Sequence, residues 1–429
     1  MKRSRIGKLG AITAVVLLAS GIAGCSGTTS GEANGKVVLQ MWTRGAGTED
    51  LAARFNESQD KVEVQVTRIS GDYATKVATA KSSGDLPDVM DIDDIDAPLY
   101  ALNGVLTDIT DRYESLSYKD DLNKAQVDLS TTNGRIYAIP NIAGPSIMMY
   151  NKDLFRKAGL DPEKPPSTWA ELLEAAKAIT ALGDDTYGFS IPVACGGCIG
   201  YSFSPLIWAS GGEIFEGEGA DQHTTFSSAE SAEAFGFYKS LLDAGVVNPA
   251  EYTEDGSTWG DWLASGKVGI ELGTPVFYPT AIEAGVDVGT APIPGKDGGF
   301  ATFVGGDVLA IGEGTDHIEE AWQFIQFMLE PAQQEFVAEQ GLVPTRLDML
   351  DEDFRAKYPA SATGLQAMEN GHVPHTLAFN AIVNDANAPF GTAMEQILTE
   401  GVEPSVALAQ LDQEATALIK QAATNAGIS

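Results

Sequence analysis

Hydrophobic and polar positions along this chain follow two periods that take turns. Residues 37–42 (VVLQMW) form an apolar run suited to a strand, and 48–58 puts Leu51, Phe55 and the alanines on one helical face. Residues 62–66 (VEVQV) then alternate with period two. A helical stretch at 73–82 and a turn at 84–87 lead into a third strand at 88–92. This strand–helix rhythm predicts a parallel sheet covered by helices, with ligands bound at the carboxyl ends of its strands. Further on, the turn Asn133-Gly134 feeds a strand that Pro140 is expected to stop, and another strand follows at 146–150. A helix at 151–158 ends at Gly159, and Ser167-Thr168 caps a helix running to about 180. A turn and short strand follow at 211–215, then a helix at 231–244 and a strand at 268–272. Helices at 317–329 and 332–339 are separated by Pro331, and a last helix covers 404–423.

The first 24 residues stand apart. They open Met1-Lys2-Arg3-Ser4-Arg5, run apolar from 9 to 23 and end Ile22-Ala23-Gly24 before Cys25. A basic start, a short apolar core and small residues mark a secretory signal, too short and too rich in Gly and Ser to span a bilayer. Ile-Ala-Gly-Cys resembles the lipobox of bacterial lipoproteins, which implies a lipidated Cys25 as mature N-terminus. Residues 25–35 continue as a small, polar tether that cannot pack a core. The working body is therefore expected outside the cytoplasm, held to the cell membrane by lipid, where ATP-, CoA- or NAD-dependent chemistry is out of place.

Charge narrows the partners. Without the signal, 23 basic groups face 60 acidic ones, a net charge of −37. Such an excess argues against nucleic acid or any anionic polymer. The remaining length exceeds what one core usually serves, so two lobes are expected. Cys195 and Cys198 in Ala-Cys-Gly-Gly-Cys are read as a structural disulfide in this compartment, with the glycines easing a short loop. A redox centre would need a thioredoxin-like setting, and a zinc site would need two more ligands.

Flat aromatic surfaces with hydrogen-bonding groups at the rim suit sugars, which have apolar faces and hydroxyl edges. The chain offers Trp42 at the end of the first strand and Asp93, Asp94 and Asp96 after the third. Asp91 is placed on the opposite side of its strand, and one or two of the other acids are available as helix caps. A calcium loop would need spaced ligands and a closing Glu, which are missing. Tyr201, Phe203 and Trp208 precede the Gly211-Gly212 turn, Trp259 and Trp262 lie in STWGDW, and Phe277 follows the strand at 268–272. Core packing competes with stacking for Trp208 and Trp262, whose neighbours are apolar. The four histidines, His223, His317, His372 and His375, form no catalytic or metal motif, so neither an enzyme nor a cofactor is expected.

Several segments, in order, resemble the extracellular solute-binding proteins of bacterial ABC sugar importers, the maltose-binding-protein-like class. They are NGRIYAIP at 133–140, MMYNKDLFRKAGL at 148–160, PPSTWAELLEAAKAIT at 165–180, ASGGEIF at 209–215, GGDVLAIGEGTDHIEEAWQFIQFML at 305–329 and GLVPTR at 341–346. The resemblance implies a two-lobed α/β fold of the type II periplasmic-binding-protein kind, with crossings near 140, 305 and 340. The lobes would comprise 36–142 with 306–342, and 143–305 with 343–429. It also implies a stacking role for Phe277, and Gly305, Gly306 and Asp307 lie beside a crossing where they can meet ligand. The expected function is capture of a neutral sugar or oligosaccharide by a monomer and its delivery to an ABC permease. A binding protein for a cationic solute such as a polyamine or peptide is the alternative, and a secreted glycosidase a more distant one.

Overall fold

The structure is a computed structural model that describes residues 35–45, 47–69, 73–385 and 387–428. The signal segment, Cys25 and the tether up to residue 34 lie outside the described residues. The chain folds as two α/β lobes, each a sheet flanked by helices. The first sheet contains β1 (Val37–Thr43), β2 (Val62–Arg68) and β3 (Val89–Asp93), all parallel. Leu39 and Met41 on β1 are fully buried on one face, as period-two alternation requires. The helix Thr48–Ser58 covers that face through Leu51, Ala52 and Phe55. Phe55 meets Phe324 edge-on at 5.1 Å, so the helix Ile318–Met328 closes the same side. Burial of such a side chain contributes ~1.5–3 kcal/mol.

The strands that follow carry the chain between lobes. β4 (Ala138–Pro145) belongs to the first sheet, and after the single residue Ser146 the chain enters β5 (Ile147–Asn151) of the second. That second sheet adds β6 (Tyr187–Ser190), β7 (Val268–Gly273) and β8 (Val288–Ala291) in the order β8–β5–β7–β6. β9 (Phe300–Ile311) returns to the first sheet as an antiparallel strand between β3 and β4. The short β10 (Val343–Pro344) pairs with β4, and β11 (Gly371–His372) pairs with the start of β9.

One strand differs from its expected extent. β4 does not stop at Pro140 but runs through it to Pro145. Proline lacks an N–H for the ladder, and here the register against β9 shifts between Asp307 and Val308, the latter facing Pro140. The irregularity accommodates the missing donor. The second lobe's core gathers Phe189, Phe203, Phe235, Tyr238 and Phe390. Trp169 opens the helix Trp169–Thr180, where Thr168 accepts from the Glu171 N–H and Glu171 accepts from Ser167. Its ring stacks on Phe237 at 4.9 Å and its N–H donates to the Pro294 carbonyl.

Candidate functional site

The carboxyl ends of β1 and β3 converge with the middle of β9. Register places Asp307 directly opposite Asp93, two carboxylates side by side that need a cation between them. Arg44, immediately after β1, supplies it. Its Nη2 lies 2.8 Å from Asp93 Oδ2 and its Nε 2.7 Å from Asp307 Oδ1. Two glycines make room. A Cβ on Gly45 would stand 2.9 Å from Asp307 Oδ2, and one on Gly306, at φ 140°, would stand 2.1 Å from the Ile142 carbonyl oxygen.

A buried layer supports this pair. Asp91 is fully buried and its Oδ2 accepts from the Thr43 and Thr48 hydroxyls at 2.6 and 2.9 Å. Asp94, also fully buried, accepts from Gln126 Nε2 at 3.1 Å. Burial raises Asp91 above the ordinary carboxylate range despite the two hydroxyls. Burial, then the Asp93 charge, holds Asp94 well above it and pushes Asp96 up to about 6. Burial, then the Asp91 charge, raises Asp307 against the pull of Arg44. Burial would lower the Arg44 pKa, but Asp93, Asp307, Asp91 and Asp94 outweigh it and keep the guanidinium charged.

The opposite wall comes from the carboxyl ends of β6 and β7. After β6, Cys195 and Cys198 are joined by a disulfide and the helix Gly196–Trp208 begins. Cys195 caps that helix, its Sγ accepting from the Cys198 N–H. Tyr201 on this helix donates its hydroxyl to the Gly144 carbonyl of β4 at 3.0 Å. Trp259 meets Tyr201 edge-on at 5.9 Å and Phe277 at 5.1 Å. Phe277, after β7, lies against Gly260 and Gly273, where a Cβ would come within 2.7 and 2.9 Å of its ring. All three aromatics are partly exposed, and the Trp259 indole N–H has no partner among the described residues. Asn380 reaches across from the second lobe, its Nδ2 3.4 Å from Asp96 Oδ1, while its own Oδ1 accepts from Asn384.

The structure thus groups most, but not all, of the sequence-selected residues. Asp93, Asp96, Gly306 and Asp307 lie on one wall with Arg44, and Gly305 pairs with Gly144 on the crossing strand β4. Tyr201, Trp259 and Phe277 form the other. Asp94 points into the buried layer. Trp42 is half-buried beside Val77 and Met90, with the Lys76 ammonium 4.6 Å above its ring. Phe203 is fully buried between Phe235 and Tyr238 at 4.6 and 4.9 Å, which leaves no face for a ligand. Trp208, at the far end of the same helix, stacks on His372 at 4.8 Å and lines a separate cavity of about 770 Å³ with Pro98, Asn133 and Phe215. Arg44, a lone Arg directly after β1, joins the site residues, as do Gln126, Asn380 and Asn384, which nothing local in the sequence marks.

A family model described as bacterial extracellular solute-binding protein matches residues 50–363. The diacetylchitobiose binding protein DasA of Streptomyces coelicolor is 26% identical over 375 residues, covering 85% of this chain and 84% of its own. The crystal structure of the cyclic alpha-maltosyl-1,6-maltose binding protein from Arthrobacter globiformis superposes with a TM-score of 0.77 at 26% identity, covering 90% of this chain and all of that one (100%). The sugar-binding protein MalE from Xanthomonas citri shares the fold at a TM-score of 0.79 and 23% identity, over 90% of this chain and 98% of its own.

Proposed function

Because the chain belongs to the bacterial extracellular solute-binding proteins, we propose that it captures a neutral sugar or oligosaccharide outside the cytoplasm and hands it to an ABC importer. One observation carries the sugar reading. A contiguous aromatic wall, Tyr201–Trp259–Phe277, stands on one lobe, and the carboxylates Asp93 and Asp96 stand on the other. Rings stack on the apolar faces of pyranoses, while carboxylates and the Asn380 amide take the hydroxyl edges. Each charge-assisted bond contributes ~1.5–3 kcal/mol. The relatives named for diacetylchitobiose and a cyclic maltosyl-maltose point to the same class.

The mechanism follows from the connections. Ligand first settles on one lobe. The lobes, taken as 36–142 with 306–342 and 143–305 with 343–429, then rotate about β4–β5, β9 and the segment around β10, and the second wall completes the bonds. The closed form docks on the permease. A cationic solute would be drawn to the same acids, but Arg44 already pairs with Asp93 and Asp307, which disfavours that alternative. A thermal-shift screen of the 36–429 chain against neutral sugars, polyamines and peptides tests the reading, since a ligand that binds only the folded form raises its melting temperature. Stabilisation by a polyamine with no response to any sugar would overturn it. We also propose that Cys25 carries the lipid anchor. Cys25→Ala is expected to abolish incorporation of labelled lipid and release the protein or leave it unprocessed, and persistent labelling would refute the anchor.

A further inference from the structure

We propose that the Cys195–Cys198 disulfide is a positioning element of the binding cleft, seating the 254–259 loop so that Trp259 stands against Tyr201 and Phe277. The bridge joins residues only three apart, so it closes a small ring and restricts the unfolded chain little. Its surroundings point to a local role instead. Gly256, at φ 99°, passes directly over the bond, and a Cβ there would lie 2.8 Å from Cys198 Sγ and 2.9 Å from Cys195 Sγ. No other residue type fits that approach without displacing the loop. The same loop is tied to the disulfide turn by the Ala194 N–H, which donates to the Glu254 carbonyl at 3.0 Å. Glu254 then accepts from the Gly256 and Thr258 N–H groups, each at 2.9 Å. Three residues beyond Gly256 is Trp259, whose N–H returns to the Gly256 carbonyl at 3.3 Å.

The helix that starts at the bridge carries the other half of the wall. Tyr201 follows Cys198 by one helical turn, on the same side. On the far flank of the turn, a Cβ on Gly197 would stand 2.8 Å from Asn384 Oδ1, and Asn384 donates to Asn380, which reaches Asp96 across the lobes. The Cys-Gly-Gly-Cys turn therefore sits between the aromatic arm and the amide arm of the second lobe. It is the one disulfide among the described residues.

This inference rests on the sugar-binding reading for its consequence, but its structural part is testable without any ligand. Amide hydrogen exchange is measured on the unliganded 36–429 chain and on its C195S/C198S variant. Opening of the loop is expected to speed exchange at 256–261 about tenfold or more, with the rest of the chain unchanged. As a second measurement the bond is opened in the already folded protein with tris(carboxyethyl)phosphine. The two sulfurs take up two electrons and two protons, and the phosphorus becomes a phosphine oxide with oxygen from water. The same local change is expected, together with greater acrylamide quenching of tryptophan emission that W259F removes. Calorimetry with maltose and with diacetylchitobiose follows. Affinity for a sugar that binds the wild type should fall about tenfold or more, at a melting temperature within a few degrees of wild type. Unchanged exchange at 256–261 in both the variant and the reduced protein overturns the positioning role. Failure of every sugar to bind the wild type counts against the functional reading, and the exchange result still decides the role of the bridge.

Discussion

At the residue scale, the wall and the core make opposite demands on the same side-chain type. Trp259 and Phe277 are partly exposed, whereas Phe203 is fully enclosed. Trp259→Ala and Phe277→Ala should each weaken sugar binding ~10-fold or more, because a stacked hot-spot ring carries more than 1.4 kcal/mol. Their melting temperatures should stay close to wild type. Phe203→Ala should lower stability by ~3–5 kcal/mol through the cavity it leaves, with affinity little changed in the folded fraction. Calorimetric titration alongside differential scanning calorimetry separates the two, and a normally binding but poorly stable F277A would remove that residue from the site. Phe277 and Trp259 were legible in sequence because they follow strand ends or sit among polar neighbours. Phe203 stands two residues from Tyr201, and two residues along a helix point in different directions. Arg44 acquires its role from Asp307, 263 positions away, through the pairing of β9 with β3, and no local pattern announces that.

At the element scale, periodicity marks β1, β2, β3, β5, β7 and helices such as Thr48–Ser58 and Trp169–Thr180, misses others such as β9 and the helix Pro389–Leu398, and one of the missed helices is informative. The helix Gly196–Trp208 contains Gly196, Gly197, Gly200 and Pro205, each unfavourable inside an isolated helix. Tertiary packing sustains it. Cys195 caps its start, and Gly200 allows Val383 to approach where a Cβ would meet its methyl at 2.5 Å. Propensity therefore hid an element that the lobe core requires. The same lobe holds a further, titratable feature. Glu271 on β7 and Glu251, both fully buried, are pushed up to about 8 and about 7, chiefly by burial, with the charge of Glu251 adding to Glu271. A carboxyl whose folded pKa is raised favours the folded state while protonated. Its contribution is complete below the unfolded value of ~4.3 and is lost as pH rises through the folded one. Thermal unfolding of Glu271→Gln should match wild type near pH 4.5. It should be higher by on the order of 2 °C or more at pH 8.5, where wild type must hold a charge that the amide avoids. A difference that is constant with pH would contradict the assignment.

At the scale of the whole molecule, two sheets present strand carboxyl ends to one another, acids with Arg44 on one side and aromatics with amides on the other. The lobes and the solute-binding family were visible in the sequence as a series of segments in order. The cleft's composition was visible only in part, because it is assembled from pieces as distant as Arg44, Tyr201 and Asn380. The high negative charge of the body keeps anionic polymers away and leaves recognition to short-range contacts. The most direct test is isothermal titration of the 36–429 chain with the sugar that most raises its melting temperature, alongside spermidine under the same conditions. Saturable binding of one sugar per chain is expected, with intact sugar recovered afterwards and no competition from spermidine. Tight binding of spermidine with no heat from any neutral sugar, or recovery of cleaved sugar, would contradict the proposed function.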